Sequence, residues 1–489
     1  MPAPALPLDM WGRVMDAQAP SDAARLACAC RVAAAAHRAS RYRAPRVAPA
    51  SLPPDSGRIA GEVLEPASGA FHVTVAPGES LAAAARRCPR GGSVLLLPGT
   101  HGDPGDAFLR TNADVHVFGR GAASIALLNF SFVLEAGAPS FVDVEFLGPL
   151  RVAGGARVRL QQCTLRGDVT CADAGTDPTF DRCTFGWNVV VTSGSKAAFG
   201  RCAFGGLARV TDGASPAFVA NSFRNGHGNI SLIVEGASVA FASNDVQPGA
   251  GIAAAGMLTI GVLLRGRSTG CAIERNTIGA CTIGLDMEGY SEARVSGNEM
   301  WNGHMNVRMS GGSRATFEGN HLRAVGPACV GIAMFQRDTC AMVVGNSFSW
   351  HVEDVIVFPS AEASVVTDNV FRDSCIGVHF HDAPSAPFGR MCSRNRFVDV
   401  DRPHIRSNRA LLAESVLVGV ATCWLGAWGW RGGSAFALLV LCAGFFWARF
   451  ALLLADDIRI RHGATLHISL IFAWARCWRL RLRLRRAAA

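Results

Sequence analysis

Lysine is almost absent from this chain: of its 47 basic residues only Lys196 is not arginine, and tyrosine occurs twice. In a chain rich in Ala and Gly this skew follows from GC-rich coding. The formal excess of +9 gathers at the two ends and not along the repeats, so nucleic acid is not an expected partner. Paired cysteines are also lacking. There are 16 Cys but no Cys-x-x-Cys, and Cys28-Ala29-Cys30 stands alone, which argues against a zinc module or a disulfide framework. Most of the others fall at repeat positions or in apolar runs (Cys423, Cys442), where free buried thiols in a reducing compartment are expected. Met1 to Leu8 has neither a basic n-region nor an apolar run, so no secretory signal is expected and the repeats are placed in cytosol or nucleoplasm. No repeat carries an apolar stripe at helical spacing, which excludes most helical repeats.

What the chain does have is a recurring asparagine. Asn221, Asn244, Asn276, Asn298, Asn320, Asn346, Asn369 and Asn395 each have a bulky apolar residue two places later, from Phe223 and Val246 to Phe371 and Phe397. Another apolar residue stands three places before each, from Phe218 and Phe241 to Val366 and Cys392. Upstream, Cys163, Cys183 and Cys202 take the Asn place in the same frame. The steps are mostly near twenty to twenty-six residues, with one longer step from Asn244 to Asn276, and such a period marks a solenoid. Short period-two runs such as Leu285-Asp286-Met287 and Val378-His379-Phe380 predict strands, and Gly, Ser and Asn between them supply turns. Stacked coils bring equivalent positions to about 4.8 Å, so an Asn column can pass side-chain hydrogen bonds from rung to rung. The expected fold is mainly β: a right-handed parallel β-helix solenoid of roughly ten to twelve rungs over residues 71–405.

Residues 5–43 form a separate unit of two short amphipathic helices, broken at Pro20-Ser21-Asp22 with Ser21 as N-cap. The pattern Leu6-Pro7, Val14, Pro20, Asp22, Leu26, Cys30-Arg31 resembles the F-box, although Val32 and the Ala33–Ala36 run replace the aromatic residue usual after Cys-Arg. Residues 44–70 read as a Pro-rich linker. The strand–helix–strand opening from Phe71 through Ser80–Cys88 to Val94–Thr100 is similar to the first turn of pectate-lyase-like β-helices, with the helix covering the open end. Together, residues 5–400 resemble F-box-only receptors carrying carbohydrate-binding and sugar-hydrolase repeats, without the zinc-binding module some of that group possess. The resemblance implies a substrate receptor of a cullin-RING ubiquitin ligase. Leu6, Pro7, Val14 and Leu26 would then contact the adaptor, and the β-helix would hold a protein substrate. The alternative is a carbohydrate-binding or carbohydrate-active β-helix; a plainer third is a structural repeat protein on a membrane.

Two apolar runs, Leu411–Trp430 and Ser434–Leu454, are each about twenty residues, long enough to span a bilayer, and predict a hairpin over 411–455. Arginines on both flanks place both ends in the cytosol, and residues 456–489 read as a basic tail with an interfacial helix. A buried apolar cap on the solenoid is the other reading of these runs. For chemistry, aligning the strands gives one outward column of Leu263, Asp286, Arg308, Ala333, Ile356 and His379. A second contains Arg265, Glu288, Ser310, Phe335, Phe358 and His381. Asp286 and Glu288 are two carboxylates on one face, the minimum for glycoside hydrolysis, but Arg308 neutralises one in a surface ion pair. His379, His381 and Asp382 lack a clear partner for a metal. The expectation is therefore no catalytic residue, metal or cofactor, with Asp286, Glu288, Arg308, Phe335, Phe358, His379 and His381 forming a recognition face.

Overall fold

The computed structural model describes residues 71–406, apart from 102–113, 121–122, 126–131, 225–227, 249–257, 326–328, 337, 359–363 and 381–391. The expected units at 5–43, 44–70, 411–455 and 456–489 lie outside the described residues. Among the described residues no helix is long and apolar enough to cross a membrane.

The period-two runs become strands of a right-handed parallel β-solenoid of about 12 turns. Successive turns stack their strands into three parallel sheets, which hold 15, 14 and 13 strands among the described residues. The inner columns are those the repeat frame predicts. In the first sheet Phe180 faces Phe199, Phe199 faces Phe218, and Phe218 faces Phe241. In the second, Phe185, Phe204 and Phe223 are in register. The rings stack at rung spacing, with Phe199 and Phe218 centroids 4.7 Å apart and Phe204 and Phe223 4.5 Å apart. Between the sheets they meet edge to face, as Phe180 does with Phe185 at 5.4 Å, an arrangement that suits the ring quadrupoles. All of these rings are buried. After Phe241 the first-sheet column passes through Ile273 and Val295 to Phe317, and in the second sheet Phe348 and Phe371 resume the stack at 5.0 Å.

From Ser140–Val142 onward, each strand of the first sheet is followed at once by a turn through one residue at positive φ. From Cys163 on, that residue immediately precedes the Asn or Cys of the frame, as with Arg201 (φ 55), Ala220 (φ 57), Gly297 (φ 62) and Gly319 (φ 62). A left-handed conformation leaves the next backbone groups without strand partners, and the Asn side chain supplies them. Asn320 donates from Nδ2 to the Val295 carbonyl at 2.9 Å and to Asn346 Oδ1 at 2.9 Å. Its own Oδ1 accepts the Asn298 backbone N–H and Nδ2–H, both at 2.9 Å. The same bonds recur along the whole column, which is buried from Asn221 to Asn369. The upstream cysteines fill the same place by the same logic. Cys163, Cys183 and Cys202 donate Sγ–H to the carbonyls of Phe141, Leu160 and Phe180, each at 3.4 Å. The Cys202 backbone N–H donates to Asn221 Oδ1 at 2.8 Å, joining the two chemistries into one ladder. These thiols are thus hydrogen-bonding members of the ladder as well as small hydrophobes.

The strand–helix–strand opening forms as the sequence predicts. Val73–Val75 pairs with Ser93–Leu96, and between them Leu81–Arg87 makes a two-turn helix capped by Ser80, whose hydroxyl accepts the Ala83 N–H at 3.2 Å. Leu81 and Ala84 bury its inner side.

Candidate functional site

The backbone register places Asp286 between Leu263 and Arg308, and continues through Ala333 and Ile356 to His379. The outward column is therefore the expected one, but much of it is buried. Asp286 is 0% exposed. Leu263, Ala333, Ile356, Phe358 and His379 are buried too. Phe335 and Phe358 stack at 4.8 Å over an apolar cluster with Val330, Ala333 and Ile356. His381 lies outside the described residues, as do Leu6, Pro7, Val14 and Leu26, so adaptor docking has no geometry to describe.

The expected surface ion pair is a half-buried clamp anchored on a buried carboxylate. Arg308 Nε donates to Asp286 Oδ1 at 2.8 Å, and Nη2 donates to Asp286 Oδ2 at 2.5 Å and to Glu288 Oε1 at 2.7 Å. Glu288 remains 41% exposed. Burial raises the Asp286 carboxyl above its ordinary value, and the guanidinium offsets this only in part. Burial pulls Arg308 the other way, but the two carboxylates outweigh it and keep the guanidinium charged. One cation thus ties up both acids, and neither is poised to act alone on a sugar oxygen. His379 Nδ1 lies 3.4 Å from Glu353 Oε2. Among the described residues no cluster of His, Cys, Asp and Glu could hold a metal ion.

A more open array stands on the outer face of the second sheet, where sequence reasoning did not look. Gly279, Trp301, Arg323, Ser349 and Arg372 occupy one outward column on successive rungs. The Trp301 indole lies so close over Gly279 that a Cβ there would come within 2.1 Å of the ring. Arg323 places its guanidinium carbon 4.1 Å from the centroid of the Trp350 ring, within cation–π range. Trp350 holds φ 64, an uncommon conformation for a bulky side chain, and its N–H donates to the Arg372 carbonyl at 3.1 Å. Burial lowers the Arg323 pKa against the pull of Glu299, and no carboxylate is bonded to this guanidinium among the described residues. The signal was present in the frame: Trp301, Arg323 and Arg372 each lie three places after a ladder asparagine.

Beneath this array lies a second feature absent from the sequence reading. In the third sheet, Gly261, Gly284, Asn306, Gly331, Asp354 and Gly377 share one column. The glycines leave room at a corner of the core, and the two polar side chains fill it. Asn302 donates its backbone N–H and Nδ2–H to Asn306 Oδ1 at 3.2 and 3.0 Å. Asn306 Nδ2 meets His351 Nε2 at 2.8 Å, His351 Nδ1 meets Asp354 Oδ1 at 2.8 Å, and Ser374 Oγ donates to that same oxygen at 2.9 Å. All five side chains are buried.

No family model matches the chain, and no curated protein matches it. Solved structures similar to it include PfbA, a surface adhesin of Streptococcus pneumoniae, at 11% identity and TM-score 0.37, covering 67% of this chain and 87% of that one. A mutant of the periplasmic alginate epimerase AlgG is similar at 11% identity and TM-score 0.33, covering 68% and 84%. The Dettilon tailspike protein is similar at 13% identity and TM-score 0.31, covering 66% and 68%. Likenesses this distant bear on neither substrate nor activity.

Proposed function

We propose that the protein is a glycan-binding β-solenoid whose binding surface is the outer face of the second sheet and its following turn, from Trp301 to Arg372. The observation that carries this reading is the Trp301–Arg323–Trp350 array, fixed on consecutive rungs of a rigid lattice. Sugars present apolar C–H faces and hydroxyl edges. Indole rings suit the former, while guanidinium groups, with Glu299 in the neighbouring column, suit the latter. Repetition at about 4.8 Å along a solenoid favours an extended polymer over a compact ligand. A binding role is also favoured by the third-sheet acids being clamped together by Arg308.

Calorimetric titration of the full chain with a panel of soluble oligosaccharides tests the reading. At least one class should bind, and Trp301→Ala and Trp350→Ala should each weaken it tenfold or more while leaving the cooperative unfolding transition in place. Binding by no member of the panel, or undiminished binding by both variants, would sink the proposal.

A further inference from the structure

We propose that Asp354 is an interior proton switch: its charge state sets how firmly the coils from Asn302 to Ser374 are held, with the proton residing on Oδ2. The argument begins with the direction of the hydrogen bonds. Asn306 Oδ1 already accepts two donors from Asn302, so the Asn306 amide is oriented and presents Nδ2–H to His351 Nε2. That nitrogen must accept, which leaves the proton on Nδ1, where it is donated to Asp354 Oδ1. The imidazole thus bridges the Asn306 amide and the Asp354 carboxyl, accepting at Nε2 and donating at Nδ1. Asp354 Oδ1 receives a second donor from Ser374, whereas Oδ2 is buried without a hydrogen-bond partner.

An ionised Asp354 would thus be a wholly buried anion with one oxygen unbonded, a cost that the His351 imidazole offsets only in part. Protonation at Oδ2 removes the charge and leaves both donors on Oδ1 undisturbed. The surroundings offer no other neutralising group. The preceding coil contributes Cys329, whose thiol burial pushes up to about 12 and so keeps neutral. Strand Val330–Met334 has no titratable residue. On the far side, strand Ile376–Phe380 brings His379, which meets Glu353. His321, Arg323 and Arg372 stand in the outward columns of the second sheet, and Asp373 is exposed. Burial raises the Asp354 carboxyl to about 6, with His351 and Ser374 opposing.

The sign follows from linkage. A carboxyl whose folded pKa is raised contributes stability fully present below its unfolded value and lost as pH rises through about 6. Two pH units of separation correspond to roughly a 100-fold rise in the unfolding constant from this group alone. The coils affected also carry the outer array: Trp350 precedes His351 in the chain, and the Arg323 carbonyl accepts from Asn306 Nδ2 at 3.1 Å. The inference rests on the fold and not on glycan binding, so a chain that binds no sugar still answers it.

The test is urea unfolding of the full chain from about pH 4 to about pH 8, wild type against Asp354→Asn. Asparagine imitates the neutral acid, so the variant should lack the wild-type loss of stability that builds up between about pH 4 and about pH 6. Equal pH dependence in the two proteins overturns the proposal. Infrared difference spectroscopy of the wild type with 13C-labelled aspartate provides a second measurement if the variant does not fold. A protonated carboxyl band should disappear near pH 6, and Ser374→Ala, which removes a donor to the carboxylate, should move that midpoint upward. The absence of any such band overturns the idea equally.

Discussion

At the scale of the residue, the ladder asparagine does the work of holding consecutive turns in register. Asn320 touches four polar groups of its neighbours, and removing its amide leaves them buried together. Asn320→Ala should cost about 3 kcal/mol, the scale of leaving buried donors and acceptors unpaired. Asn320→Cys should cost less, because Cys163, Cys183 and Cys202 make the equivalent bond to the preceding coil. Arg314→Ala, at an exposed position on the strand before, should change stability by less than about 0.5 kcal/mol. Urea unfolding of the three variants checks the order; a loss for Asn320→Ala no larger than for Arg314→Ala would disprove the ladder's energetic role. This column was legible because its spacing survives in the sequence even where cysteine replaces asparagine.

Among elements, the third sheet departs most from expectation. Strand alternation does identify the outward column of Asp286, Arg308 and His379, since register follows from period two. Alternation says only which way a side chain points, and an outward residue is exposed only if nothing covers it. The burial of Asp286 changes the energetics of its pair with Arg308. Arg308→Ala should destabilise by about 3 kcal/mol at pH 7, the consequence of leaving a buried charge unpaired. The penalty should shrink toward pH 4 as Asp286, whose carboxyl burial already raises, takes up a proton. Unfolding measured at both pH values decides it: an identical loss at each would mean that the uncompensated charge is not what the variant exposes. The second-sheet array was missed for a related reason. Trp301, Arg323 and Arg372 share a column by frame, but Trp350 joins them only through a turn whose path the frame does not specify.

For the whole molecule, the glycan-binding reading places function on the solenoid and separates it from residues 5–43. The full chain carrying Leu6→Ala and Pro7→Ala should therefore bind oligosaccharide with unchanged affinity. A tenfold loss by calorimetry would show that the two regions act together. Loss of a copurifying cullin adaptor in the same variant would speak for the F-box resemblance independently. The sequence by itself determined the solenoid, its inner columns, its opening helix and its Asn–Cys ladder. Each of these repeats a local pattern, and parallel stacking copies that pattern from rung to rung without further information. The tertiary structure decided what the period does not carry: which outward residues are covered, and that Arg308 gathers two acids. It also decided that Asn302, Asn306, His351, Asp354 and Ser374 converge at one corner of the core. Those five stand at three different places within their repeats, so only the closure of each coil, with glycines opening space between them, brings their side chains within hydrogen-bonding distance.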